Sequence, residues 1–197
     1  SGATYMDGTT DITRTYPLGQ LTEDEKRFYT WTLQSHIDLA RAVWLDYCEC
    51  KMIDTIAREP LWRHLINYRC GTGHSVSFVG NVHEGPHALN SRNTTRMRPG
   101  MVVTDEPGVY ETDLVGIRIE NELVCIHKAD NQYGTFLGFE PLTFVPIATS
   151  PILPGVLDKD ELAWLNDYHR QVFAKLAPHL NAEERVWLAE KCASIGC

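Results

Sequence analysis

Residues 103–124 read VTDEPGVYETDLVGIRIENELV, and their alternation of apolar and polar residues is that of strands joined by turns. In the segment GIRIENE, residues 116–122, Ile117 and Ile119 fall on one strand face while Gly116, Arg118 and Glu120 fall on the other. An arginine and a glutamate therefore point together toward something polar. Upstream, Glu106 stands just before a Pro107–Gly108 turn, and Tyr110 follows that turn. The same β texture runs outward from Gly71 to about Ala148, through MVVTDEP and GTFLGFEPLTFVPIA. A curved antiparallel sheet is its expected product.

Helical signals flank this sheet on both sides. In QLTEDEKRFYTWTLQSHIDLARAVW, residues 20–44, Thr22 and Glu25 form a capping box, and Leu33, Ile37, Ala40 and Trp44 recur at helical spacing. A second helix is expected over residues 51–68, KMIDTIAREPLWRHLINY, interrupted at Pro60 because proline has no N–H to donate. After the proline-rich stretch TSPILPGVL, Leu162, Leu165, Val172 and Leu176 restore helical periodicity, and NAEERVWLAEKC repeats it. Residues 1–18 are Thr-rich and Gly-punctuated, which suits a strand and turn pair. The expected class is α+β.

Chemistry concentrates in three islands. DGTTDITRT, residues 7–15, holds Asp7, read as turn chemistry before Gly8, and Asp11, which sits among β-formers. GTGHSVSFVGNVHEGPH, residues 71–87, holds His74, His83 and His87. The third island holds Glu106 and Glu120. One imidazole with several carboxylates is an oxygen-rich ligand set that suits Mn(II), Co(II) or Zn(II) and not a thiolate zinc site. Two cations would hold together carboxylates that otherwise repel, and a water bridging them would become a hydroxide nucleophile near neutral pH.

Other classes are disfavoured. The formal charge of −8 and the absence of a basic patch argue against nucleic acid. No apolar run approaches the roughly 20 residues a membrane span needs. SGATYMDGTT lacks the order of a signal peptide, so a cytoplasmic address is expected. The six cysteines include no C-x-x-C pair and read as ordinary thiols. Ser1-Gly2-Ala3 opens without an initiator methionine, as a fragment would.

In order and approximate spacing, DGTTDITRT, GTGHSVSFVGNVHEGP, VVTDEPGVY and GIRIENE resemble the signature blocks of the aminopeptidase P branch of the pita-bread (creatinase/aminopeptidase-type) metallopeptidases. LGFEPLTFVPI and DELAWLNDYHRQVFAKLAPHL are similar to the C-terminal appendix of its large three-domain members. The resemblance implies that residues 1–148 are the second half of a pita-bread catalytic domain and residues 149–197 a C-terminal helical appendix. It implies a metalloexopeptidase that removes the N-terminal residue from peptides with proline at position two, using two divalent ions, Mn(II) first and Zn(II) or Co(II) as alternatives. Asp11 and Glu120 would bridge the ions, with His74 and Glu106 on one of them. His83 would face the peptide, Glu106 would shuttle the proton, and Arg118, Tyr110 and His87 would support the site or the substrate.

A further ligand Asp is implied about eleven residues before Asp11, upstream of Ser1, so that metal binding and turnover by the isolated chain are expected to be weak. Cys70 stands where a histidine is usual, and Ser75 and Ser77 where glycines are. A truncated or degenerate non-catalytic relative, acting as a binding or dimerisation module, is the alternative. A homodimer is expected by analogy with the appendix.

Overall fold

In the computed structural model, which describes residues 1–196, the chain opens with a hairpin of β1 (Gly2–Tyr5) and β2 (Gly8–Asp11). Asp7 lies in its turn, as its position before glycine implies. Helix α1 (Glu23–Ala40) starts at the expected capping box: the Glu25 N–H donates to the Thr22 hydroxyl and the Thr22 N–H to the Glu25 carboxylate. It ends before Trp44, however. Val43, Trp44 and Leu45 form a short strand, β3 (Val43–Leu45), whose β-branched and aromatic residues pair with a sheet edge. Trp44 is still core, now through its strand face.

The expectation at Pro60 also needs correction. Helix α2 (Cys50–Trp62) runs through Pro60 without interruption. Only one N–H bond is forfeited, and the helix closes two residues later, so little is lost. Leu65, at φ 58°, then turns the chain away, and the expected extension to Tyr68 is absent.

Strands β4 (Gly73–Ser75), β5 (Glu84–Leu89), β6 (Val102–Asp105), β9 (Asn121–Asn131) and β10 (Gly134–Pro141) join β3 in a six-stranded antiparallel sheet ordered β3-β10-β9-β6-β4-β5. Between β6 and β9, β7 (Gly108–Glu111) and β8 (Val115–Arg118) form a separate hairpin. Register shifts at Phe136/Leu137 and at His74/Ser75 bend the strands locally.

The pairing of Val103 with Leu123 and of Thr104 with Glu122 sorts the sheet into two faces. Val103, Leu123, Cys125, Leu137 and Phe139 pack on Leu39, Ile53 and Ala57 from the two helices. The opposite face carries Thr104 and Glu122, and the same parity extends to Glu106 and Glu120. The acidic residues thus share one side because alternation has period two, and the helices cover the other.

The C-terminal residues form α3 (Lys159–Leu176) and α4 (Ala182–Lys191), both opened by capping boxes, at Asp158 with Glu161 and at Asn181 with Glu184. Leu162, Leu165, Tyr168 and Val172 pack against Tyr29, Leu33 and Ile37 of α1 and against Ile117 and Ile119. Among the described residues no helix is long and apolar enough to cross a membrane.

One buried histidine makes this packing pH-sensitive. His169 Nε2 accepts the Ile147 N–H at 3.1 Å, Nδ1 has no partner, and the ring is fully buried, so burial pulls its pKa from 6.5 down to about 4. The unfolded chain binds this proton more readily than the folded one, so the contribution is intact above pH 6.5 and is lost as pH falls toward 4. At pH 5 the loss is about 2 kcal/mol. His169→Gln, which keeps an acceptor for Ile147 but does not titrate, is expected to flatten urea-unfolding stability between pH 7 and 5. An unchanged slope in the variant would refute this assignment.

Candidate metal centre

Gly73 sets the position of the first ligand candidate. A Cβ on it would stand 1.8 Å from the Thr104 carbonyl oxygen, so only glycine lets β4 lie this close to β6. The next residue, His74, donates its backbone N–H to the Thr104 hydroxyl at 2.9 Å, and that hydroxyl donates to Glu106 Oε1 at 3.0 Å. His74 Nδ1 faces the Ser75 carbonyl at 3.0 Å, which makes it the protonated nitrogen and leaves Nε2 to the carboxylates. Nε2 lies 3.1 Å from Glu106 Oε1 and 3.6 Å from Asp11 Oδ2.

Two groups of candidate ligands share His74. Donor atoms of His74, Glu106 and Glu120 lie within 4.8 Å of one another, as do those of Asp11, His74 and His83. The structure therefore gathers Asp11, His74, His83, Glu106 and Glu120, drawn from three separate islands of sequence. His83 is exposed, its ring centroid 4.0 Å from that of His74. Arg118 Nη1 holds Glu106 Oε2 at 3.1 Å, and its guanidinium lies 5.7 Å from the centre of the half-exposed Tyr110 ring. His87 stands apart from the cluster. Its Nε2 bonds the Val102 carbonyl at 2.8 Å, and the ring lines a cleft of about 840 Å³ shared with Ser75, Ser77 and Glu122.

The electrostatics of this cluster call for a cation. Burial pushes the Glu120 carboxyl up to about 6; the Thr13 hydroxyl bond opposes this, while the charges of Glu106 and Asp11 add to it. Burial likewise raises Glu122 to about 7, against the Asp11 N–H that donates to Glu122 Oε1 at 2.7 Å. Burial opposes ionisation of Glu106 too, but there His74, Arg118 and Thr104 prevail and its pKa is lowered. Glu120 Oε1 is buried with no hydrogen-bond partner. An unpartnered carboxylate oxygen among further carboxylates and an imidazole is the donor set expected of a divalent-ion site. The residues present fit such ions.

Several contributors escape sequence reasoning. Thr13 donates its hydroxyl to Glu120 Oε2, and the Glu120 N–H bonds the Thr13 carbonyl at 3.0 Å. Behind the sheet, His36 Nδ1 lies 3.1 Å from the Asp105 carboxylate and 3.3 Å from its carbonyl, while Asn121 lies 3.3 Å from His36 Nε2. This buried trio backs the strands that present Glu106 and Glu120. The place of Asp105 beside the candidate ligand Glu106 is a signal in the sequence; nothing in α1 marks His36.

Residues 1–127, which carry most of the antiparallel sheet, the covering helices and the His–carboxylate cluster, match metallopeptidase family M24, to which the chain belongs. Residues 135–195 match the C-terminal region of peptidase M24. Within the family the chain is similar to Xaa-Pro aminopeptidases. It is 42% identical over its whole length to aminopeptidase P1 of Lotus japonicus, covering 30% of that protein. It is 44% identical to aminopeptidase P2 of Arabidopsis thaliana over 95% of this chain and 27% of the relative. Among solved structures, the X-prolyl aminopeptidase of Caenorhabditis elegans, described as a cytosolic enzyme with a di-nuclear active site, superposes with a TM-score of 0.93 at 39% identity, covering 98% of this chain and 32% of that one. The prolidase of Pyrococcus furiosus gives 0.62 at 29%, over 73% and 40%. The chain spans about a third of the length of the curated relatives it matches, and corresponds to their C-terminal part.

Proposed function

We propose that this chain is the metal-binding portion of a metal-dependent aminopeptidase that releases the N-terminal residue from peptides with proline at position two. The observation that carries the reading is the clustering of Asp11, His74, Glu106 and Glu120, with one buried carboxylate oxygen left unpartnered, in a chain of family M24. These four residues would hold two divalent ions, Mn(II) first. When bound, such ions supply Lewis acidity and make a water acidic enough to be a nucleophile. The dinuclear centre of the C. elegans relative supports the pair.

The chain's own groups then divide the work. Glu106, kept ionised by His74 and Arg118, would accept a proton at its carboxylate from the attacking water and return it to the leaving amine. His83, exposed beside His74, would orient the peptide carbonyl and offset the negative charge that develops there. Arg118 would fix the Glu106 carboxylate, and Tyr110 and His87 would border the peptide. Residues 1–148 would form the catalytic part and residues 149–197 an appendix. A cytoplasmic address and a homodimer belong to the same reading.

In the protein that carries this chain, His83→Ala is expected to lower kcat on an Xaa-Pro-Xaa peptide about 100-fold or more. EDTA should abolish turnover and Mn(II) restore it. Cleavage that persists in EDTA, or an Xaa-Ala-Xaa peptide cut equally well, would sink the reading.

A further inference from the structure

The guanidinium of Arg14 sits between the metal-ligand cluster and the C-terminal helices. Its Nη1 donates to the carbonyls of Thr13 at 2.9 Å and Glu120 at 2.6 Å. Nη2 reaches Asn121 Oδ1 at 2.7 Å, the Val145 carbonyl at 2.8 Å and the Tyr168 hydroxyl at 2.9 Å, and Nε donates to the Pro146 carbonyl at 3.1 Å. No carboxylate pairs with Arg14 among the described residues. Its planar fork therefore sets geometry, holding the two chain segments that carry Thr13 and Glu120 at one spacing.

Tyr168, on α3, completes the arrangement. Its hydroxyl accepts from Arg14 and from the Val145 N–H at 3.3 Å, with its one proton facing the Val145 and Thr143 carbonyls at 3.0 and 3.1 Å. The ring is held in a parallel stack on Trp164, centroids 5.3 Å apart, and is almost fully buried. Arg14 fixes the Thr13 and Glu120 backbones, and their bridge lets the Thr13 hydroxyl orient the Glu120 carboxylate.

We infer that Tyr168 and Arg14 are positioning residues through which the C-terminal helices orient Glu120 for metal binding. This rests on the metal centre proposed above, but its structural half can be tested without metal. The experiment uses the protein that carries this chain, with Tyr168→Phe, which keeps the ring stack and removes the hydroxyl. Val172→Ala serves as control, since it removes buried methyl groups from the same helix and leaves the hydroxyl in place. Hydrogen exchange of the metal-free proteins is read at the Glu120 amide against the amides of β9 and β10.

Tyr168→Phe is expected to speed exchange at Glu120 about tenfold relative to that ladder, and to weaken Mn(II) binding about tenfold in calorimetry. Val172→Ala is expected to lower the unfolding midpoint without either local effect. Unchanged Glu120 protection in Tyr168→Phe, or equal effects from Val172→Ala, would overturn the inference. If the protein that carries this chain takes up no Mn(II) even without the substitution, the metal reading fails, and the exchange result alone decides the relay.

Discussion

Glu120→Gln is expected to make the metal-free chain more stable by about 2 kcal/mol at pH 7 while weakening Mn(II) binding by about 100-fold or more. The two effects have opposite signs because one carboxylate serves opposite purposes in the two states. Without a cation, its pKa in the folded chain is about 6 against an ordinary 4.5, so the folded chain holds the proton more tightly than the unfolded one. Stability of the metal-free protein is then full below pH 4.5, falls as pH rises through 6, and stays reduced at pH 7. Glutamine removes that cost and keeps an acceptor for the Thr13 hydroxyl. With a cation the balance reverses, because the charge that burial penalises is the charge that binds the ion. Thermal unfolding with EDTA and with saturating Mn(II), at pH 5 and pH 7, reads both signs. A variant destabilised in EDTA would show that Glu120 is a satisfied structural residue.

Gly73→Ala is expected to destabilise the chain by about 3 kcal/mol or more, among the largest effects of any one-methyl change here. The added carbon would meet the Thr104 carbonyl oxygen at 1.8 Å, and that atom is backbone in a strand flanked by β4 and β9. Relief requires β4 and β6 to separate, which costs ladder hydrogen bonds. It also moves His74 away from the Thr104 hydroxyl and therefore from Glu106. Loss of metal affinity should accompany the loss of stability. Denaturant unfolding and calorimetry test both, and a variant within about 1 kcal/mol of the parent would refute the close approach.

Much of this architecture is legible in the amino-acid sequence. Thr22 with Glu25 marks the start of α1 because a cap is a local bargain between residues three apart. Ile117 and Ile119 separate from Arg118 and Glu120 because a strand alternates. Where the structure departs from the local pattern, a competition was decided by distant parts of the chain. Val43–Leu45 left the helical pattern because a partner strand far downstream, β10, was there to pair with it. Pro60 was tolerated because it forfeits a single hydrogen bond in the last turn of helix α2.

By itself the sequence determined which residues could bind a metal: Asp11, His74, Glu106 and Glu120 carry their chemistry wherever the chain places them, and period-two alternation puts Glu106 and Glu120 on faces that can meet. Only the tertiary structure decided how they are held. Thr13 reaches Glu120, Arg14 reaches Tyr168 and His36 reaches Asp105 across long stretches of chain. Side-chain hydrogen bonds over such separations leave no period or spacing to read, since any polar residue brought to that point could make them. The same is true of the charge balance, because the raised pKa of Glu120 comes first from burial, and burial is a property of the folded chain alone.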